Sequence, residues 1–266
     1  MFLGLARFCQ KRSSPWSARI VGANNRLVSL RKKFLSTQDS LIADRALEEI
    51  RDRAAAWSDI SDHLETIYSE SLACSPKLIV ELGTRGGEST RCLQAAAEKN
   101  AAALISVDLD NCSTVSKYQN WHFIQQDDIV FASMFEDWCT QRGLVPSIDV
   151  LLVDTSHEYG HTVKEIESWF PWLSPTCRVM FHDTNMACIY RRRDGSFGPG
   201  WDNERGVIRA IEEFMGIPIS ESRPLDISHN GWRVRHDPVC NGFTILERDP
   251  LHAGYRATAV VEQAVL

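Results

Sequence analysis

Apolar positions along this chain change their period at Pro76. From residue 40 to 74 they recur roughly every 3.6 residues (Leu41, Leu47, Ile50, Ala54, Trp57, Ile60, Leu64, Ile67, Leu72), which predicts one or two amphipathic helices. Beyond Pro76 short continuous apolar runs take over. Residues 78–80, 103–107, 121–124, 148–153 and 178–181 read as strands, with helix-compatible stretches at 88–99, 129–142 and 158–173 between them. Short strands alternating with longer helices predict an α/β fold, a mostly parallel sheet with helices on both faces. Residues 185–204 are polar and rich in Gly and Arg, and read as a long loop of the kind that serves as a lid. Residues 205–215 read as a helix, and 231–235 with 242–247 as an antiparallel hairpin that supplies the sheet's last strand. The chain thus divides into a leader (1–38), a helical extension (39–76), a sheet domain (77–250) and a tail (251–266).

Charge sharpens the first boundary. Eight of the 29 basic residues and none of the 35 acidic ones fall within the first 38 positions. The acidic remainder argues against nucleic acid as a partner of the fold itself. The basic leader fits a solvated tail, an organelle-targeting segment, or an arm that touches an anionic membrane or a partner. No apolar run approaches the ~18–20 residues of a membrane span. The eight cysteines (9, 74, 92, 112, 139, 177, 188 and 240) form no CxxC pair. Their wide spacing disfavours a zinc site or a disulfide framework and points to a reducing, cytoplasmic compartment.

Ligands of parallel α/β sheets bind at the carboxyl ends of the strands. Here five successive strands end in an acid: Glu81, Asp108, Asp127 (with Asp128 beside it), Asp154 and Asp183. After the first strand comes Glu81-Leu82-Gly83-Thr84-Arg85-Gly86-Gly87-Glu88-Ser89-Thr90, a glycine-rich turn that opens a helix. Glycine allows close ligand approach, and the helix start offers unpaired N–H groups. The turn reads GxxGG rather than the GxGxxG of a dinucleotide site. An acid two residues before its first glycine would repel a pyrophosphate and suits an ammonium group. Asp108 can accept ribose hydroxyls from either kind of cofactor.

These segments, ELGTRGGEST, SVDLD, QQDD, LLVDTSHEYGHTVKEIESW and VMFHDTN in that order, resemble the class I S-adenosylmethionine-dependent methyltransferases. More narrowly they are similar to the metal-dependent small-molecule O-methyltransferases, of the catechol O-methyltransferase type and the cephalosporin-hydroxylase-like bacterial relatives. The resemblance spans about 77–185. It implies a Rossmann-like methyltransferase sheet, S-adenosyl-L-methionine as cofactor, and a small-molecule hydroxyl acceptor as partner. It places Glu81, Gly83, Thr84, Ser89, Asp108 and Asp127 around the cofactor, with Asp128 competing with Asp127 for the adenine.

The same resemblance implies a divalent metal, Mg or Mn, held by Asp154 and Asp183. Carboxylates at neighbouring strand ends, about 4.8 Å apart, can share one hard cation. Beside Asp183 stand His182, Thr184 and Asn185; an imidazole from His182 would suit manganese better than magnesium. His157, three residues past Asp154, is the candidate base, its ordinary pKa of ~6.5 lying near neutrality; His161 lies one helical turn on. Tyr159, Trp169 and Trp172 read as packing residues. Arg191-Arg192-Arg193 and Trp201 in the long loop are candidates to hold an anionic or ring-bearing substrate. The residues alone leave open a nicotinamide-dependent oxidoreductase and a non-catalytic protein that keeps the pocket. They leave the acceptor and the oligomeric state open as well.

Overall fold

A computed structural model describes residues 45–248; the basic leader and the tail lie outside the described residues. The extension folds as α1 (Arg45–Ala54), a 3₁₀ turn (Ser61–His63) and α2 (Leu64–Ala73). The sheet domain then runs β1 (Leu78–Leu82), α3 (Glu88–Asn100), β2 (Ala103–Asp108), β3 (Trp121–Gln125), α4 (Asp128–Ala132), α5 (Phe135–Thr140), β4 (Ile148–Val153), α6 (Tyr159–Trp169) and β5 (Leu173–His182). It closes with β6 (Ile189–Arg191), β7 (Phe197–Pro199), α7 (Gly206–Met215), β8 (Leu225–His229), β9 (Trp232–Asp237) and β10 (Phe243–Arg248). The main sheet has the order β3-β2-β1-β4-β5-β10-β9-β8. Its first five strands are parallel, and β10 lies antiparallel against β5.

The two-residue period of β1 divides the core. Leu78, Val80 and Leu82 pack on one face with Phe131, Phe135, Trp169 and Ile211 from α4 to α7. Ile79 packs on the other, with Leu64 and Ile67 of α2 and Leu93 and Ala97 of α3. The extension therefore covers one face of the sheet, where each fully buried Leu or Ile contributes on the order of 1.5–3 kcal/mol.

Three expectations need correction. Residues 129–142 form two short helices rather than one. Ser133 donates its hydroxyl to the Val130 carbonyl, a local bond that competes with the helical ladder, and Met134 leaves helical geometry (ψ 0°). Residues 185–204 are not an open loop, because β6 and β7 pair as a hairpin in which Tyr190 lies against Gly198. Its Arg192 is buried, giving its guanidinium to the carbonyls of Ser58 and Phe197 and to the Tyr190 hydroxyl, so it is not free to hold a substrate. Arg193 pairs with Asp237. The expected antiparallel hairpin is present as β9 and β10, and an exposed edge strand, β8, extends it.

The rim of the sheet is held together at Gly83. Its N–H donates to the Val107 carbonyl, while the Asp154 N–H donates to the Leu82 carbonyl, so the chain after β1 runs tightly between β2 and β4. At φ +88°, a Cβ on Gly83 would lie 1.9 Å from the Asp154 carbonyl oxygen. Gly86, three residues on, has open space instead. Gly83→Ala is expected to lower unfolding stability by at least about 2 kcal/mol, through left-handed strain and the clash, and Gly86→Ala to change it by less than about 0.5 kcal/mol. Urea unfolding of both variants checks this; equal stabilities would contradict it.

Candidate functional site

The ends of β1 to β4 open into one cavity of about 330 Å³; Asp183 and His182, at the end of β5, lie behind Asp154 and outside its lining. Its floor is the glycine turn, with Gly83, Thr84 and Ser89 at the start of α3, and Asp108 closing β2 stands beside it. Asp127 and Asp128 border it at the end of β3, and Asp154 and His157 at the end of β4. Apolar cover comes from Ile60, Val107 and Leu109. Of the expected cofactor residues, only Glu81 is absent from this lining.

Glu81 falls on the face of β1 that meets α3, and it is fully buried. Three hydroxyls donate to its carboxylate: Ser89 Oγ at 2.7 Å, Thr90 Oγ1 at 2.9 Å and Ser106 Oγ at 2.6 Å. Trp121 Nε1 supports Ser106 from behind, at 2.9 Å. The carboxylate thus ties the first turn of α3 to β2, and through Ser89 it acts on the cavity at one remove. Burial drives its pKa up to about 7, against the hydroxyls that favour the charged form.

Asp108 is likewise engaged. Its Oδ2 accepts the backbone N–H groups of Thr84 (2.7 Å) and Arg85 (2.9 Å), and its Oδ1 that of Asp110 (2.8 Å). It shapes the glycine turn and still faces the cavity. Asp127 caps α4, its Oδ1 accepting the Val130 N–H at 2.9 Å. Asp128 turns inward to His161 Nε2 at 3.0 Å.

The chemistry concentrates where β4 and β5 end. His157 Nε2 lies 3.3 Å from Asp154 Oδ1 and 2.8 Å from Asp183 Oδ2. His182 Nδ1 lies 3.1 Å and 3.3 Å from the same two oxygens. The other ring nitrogen of His182, Nε2, meets the carbonyl oxygens of Asp59 (3.1 Å) and Cys240 (3.3 Å). Carbonyls only accept, so Nε2 carries a proton and Nδ1 is the atom presented to the acids. Burial penalises every charge in this quartet, yet the opposite charges prevail. His157 and His182 hold Asp154 and Asp183 well below the usual carboxylate range. The two carboxylates lift His182 far above an ordinary imidazole and raise His157 to about 10. An imidazole titrating near neutrality was expected at position 157; here the two carboxylates favour its protonated form.

The quartet also fits a cation. Asp154, Asp183 and His182 each offer a ligand atom, all within 4.8 Å of one another. Asp183 Oδ1 is buried without a hydrogen-bond partner. Both Asp183 and His157 sit at positive φ (57° and 62°), strained backbone of the kind found at functional sites. Thr184 and Asn185 do not join them: Thr184 Oγ1 faces His236, and Asn185 Nδ2 donates to the Pro238 carbonyl.

Sequence reasoning missed the contribution of the extension. Asp59 makes a two-pronged ion pair with Arg85 of the glycine turn (2.7 and 2.8 Å), and its carbonyl receives His182. Ile60 lines the cavity. Neither residue carried a motif; only the apolar period of 40–74 hinted that this segment packs on the sheet. Trp201 stands 6.0 Å from the His157 ring. The cysteines among the described residues are free, and no described helix is long and apolar enough to cross a membrane.

Comparison with known proteins agrees with this geometry. Residues 80–184 match a family model described as a methyltransferase domain. No curated protein matches the chain. Among solved structures it is similar to cofactor-bound Rv0187 from MTB, with 13% identity over 85% of this chain and 97% of that one and a TM-score of 0.52. It is also similar to the SAH-bound methyltransferase PaMTH1 of Podospora anserina, with 14% identity over 85% and 95% and a TM-score of 0.50. The fold is the Rossmann-like methyltransferase fold, and the chain resembles class I S-adenosylmethionine-dependent methyltransferases.

Glu81 generates a pH dependence. The unfolded chain releases this proton near pH 4.5, the folded chain only near pH 7. In between, the unfolded state binds fewer protons, so this group lowers stability as pH rises through that window. Glu81→Gln is expected to remove that loss, worth up to about 3 kcal/mol. Denaturant unfolding at pH 5 and pH 7.5 measures it. Wild type should lose more stability than the variant between the two; parallel behaviour would contradict the assignment.

Proposed function

We propose that this protein transfers a methyl group from S-adenosylmethionine to an oxygen of a small molecule, with a divalent cation at Asp154, Asp183 and His182. The observation that carries this reading is the pair of carboxylates at the ends of β4 and β5, bridged by His157 and His182, of which Asp154 borders a cavity whose other walls suit a nucleoside. S-adenosylmethionine supplies the methyl group as a sulfonium electrophile. Gly83, Thr84 and Ser89 would surround its amino-acid end. Asp108 would accept from the ribose, and the free Oδ2 of Asp127 from the adenine amino group, Asp128 being turned to His161. Glu81 supports this pocket from behind by fixing Ser89.

A divalent cation would supply positive charge that lowers the pKa of an acceptor hydroxyl and of His157 together. Asp154 and Asp183 would hold that centre, with Asp154 at the border of the cavity. His157, touching both acids and lying beside Trp201, is placed to take the acceptor's proton at Nε2. Trp201, 6.0 Å from the His157 ring, would offer a flat apolar surface to an acceptor held beside His157, and Asp59 with Arg85 holds the glycine turn. Alignment of two reactants in one cavity is the larger share of the work asked of the protein.

Calorimetric titration with S-adenosylhomocysteine tests the cofactor. Wild type should bind it, and Asp108→Ala should weaken binding by roughly 1–3 kcal/mol, the cost of lost charge-assisted hydrogen bonds. Tight binding of NAD without S-adenosylhomocysteine binding would favour an oxidoreductase and overturn the proposal.

A methyl-transfer assay over a panel of small hydroxyl compounds, with Mn²⁺ and with chelator, tests the mechanism. Asp154→Asn and Asp183→Asn should each abolish metal-stimulated transfer and leave S-adenosylhomocysteine affinity within about threefold, since neither acid is assigned to the cofactor. His157→Ala should keep Mn²⁺ binding and lose turnover. Full activity in chelator would remove the cation from the account.

A further inference from the structure

A second cluster of ligating side chains lies on the other side of His157, toward the end of β3. Asp128 opens α4, and His161 and Glu165 stand one turn apart on α6. His161 Nε2 lies 3.0 Å from Asp128 Oδ1 and 3.7 Å from Glu165 Oε1. Their ligand atoms all fall within 4.8 Å of one another. Both carboxylates are buried: Asp128 is 7% exposed and Glu165 1%. Thr155 Oγ1 donates to Glu165 Oε1 at 2.5 Å. Each acid, however, keeps a second oxygen, Asp128 Oδ2 and Glu165 Oε2, buried with no hydrogen-bond partner.

That combination is costly as it stands. An unpartnered buried carboxylate oxygen loses its hydration with nothing in return, and here two belong to acids that face one imidazole. Ion pairs and hydrogen bonds account for one oxygen of each acid only. Among the described residues no lysine or arginine pairs with either acid. Two carboxylates and one imidazole form a mixed O/N donor set, which a transition-type divalent ion such as Mn²⁺ or Zn²⁺ accepts more readily than Mg²⁺, with its all-oxygen preference. His161 and Asp128 border the open cavity, which gives such an ion a way in.

We propose that Asp128, His161 and Glu165 form a second divalent-cation site, distinct from the one at Asp154, Asp183 and His182. This site does not depend on the methyl-transfer reading. Bound there, a cation would join α4 to α6 and set the position of the cavity wall next to Asp127. Thr155 would orient Glu165 from outside the ligand set, as supporting hydroxyls do at metal centres.

Mn²⁺ binding to the full-length protein, followed by electron paramagnetic resonance, tests it without any substrate. Asp154→Asn/Asp183→Asn, which disables the first site, should still bind one Mn²⁺ per chain. Adding His161→Gln or Glu165→Gln to it should weaken that binding tenfold or more, because even supporting residues cost roughly 10–100-fold in metal affinity. Thermal melting in metal-free buffer checks that each variant folds. In the wild-type background His161→Gln, a partly exposed position, supplies a second comparison: it should hold one Mn²⁺ fewer than wild type. Mn²⁺ should also raise the melting temperature of Asp154→Asn/Asp183→Asn, and should not do so once His161 is replaced. The proposal is overturned if folded Asp154→Asn/Asp183→Asn binds neither Mn²⁺ nor Zn²⁺, or if binding persists unchanged after His161 and Glu165 are both replaced.

Discussion

Two carboxylates at the ends of adjacent strands, one buried and one at the cavity border, repel each other, and the rim of this protein is organised around that fact. Asp154 and Asp183 tolerate each other because His157 and His182 bring positive charge within about hydrogen-bonding distance of both. Holding two imidazoles there fixes much else. His157 and Asp183 occupy left-handed backbone, and Gly206 is a glycine because a Cβ there would lie 2.4 Å from the His157 carbonyl oxygen. His182 needs acceptors for its second nitrogen, and the carbonyls of Asp59 and Cys240 provide them, drawing in the extension and the turn before β10. A cavity beside such a centre is suited to chemistry that develops charge on an oxygen, which is the basis of the proposed methyl transfer.

A second constraint works one layer below. The glycine turn must pass tightly between β2 and β4, and only Gly83 permits it. Three acids that look alike in sequence then take three different tasks. Glu81 clamps the base of α3 through hydroxyls, Asp108 accepts the turn's backbone N–H groups, and Asp154 faces the cavity and the imidazoles. The cavity is thus preorganised by hydrogen bonds within the protein itself, which is the condition for binding energy to be spent on orientation.

The parallel core was legible in the sequence because doubly buried strands such as Ile148–Val153 are continuous apolar runs, and a run of that kind bounded by turns has few other readings. Strand β8 was not, since Leu225–His229 is largely exposed and its alternation, Leu225 and Ile227 between polar residues, is only two apolar positions long. The break between α4 and α5 falls at Ser133 and Met134, where neither a proline nor a glycine marks it and the apolar period does not encode it. At the site, the rim acids and His157 were visible because strand ends recur. The inward turn of Glu81 was not, because facing depends on which side of β1 the residue falls and on hydroxyls eight to 25 positions away. Arg192 looked like free loop charge for a similar reason: its partner Ser58, 134 positions away, becomes a neighbour only when the hairpin docks. Nor could sequence reveal the state of His157, whose pKa is set by two carboxylates brought together only by the fold.

The most direct test of the account is a crystal structure of the full-length protein grown with S-adenosylhomocysteine and Mn²⁺, with anomalous scattering collected to locate the metal. The account predicts a manganese peak bounded by Asp154, Asp183 and His182, with S-adenosylhomocysteine in the adjoining cavity and its ribose at Asp108. Clear density for the nucleoside with no anomalous peak among those three residues, or a nucleoside bound away from Asp108, would contradict it.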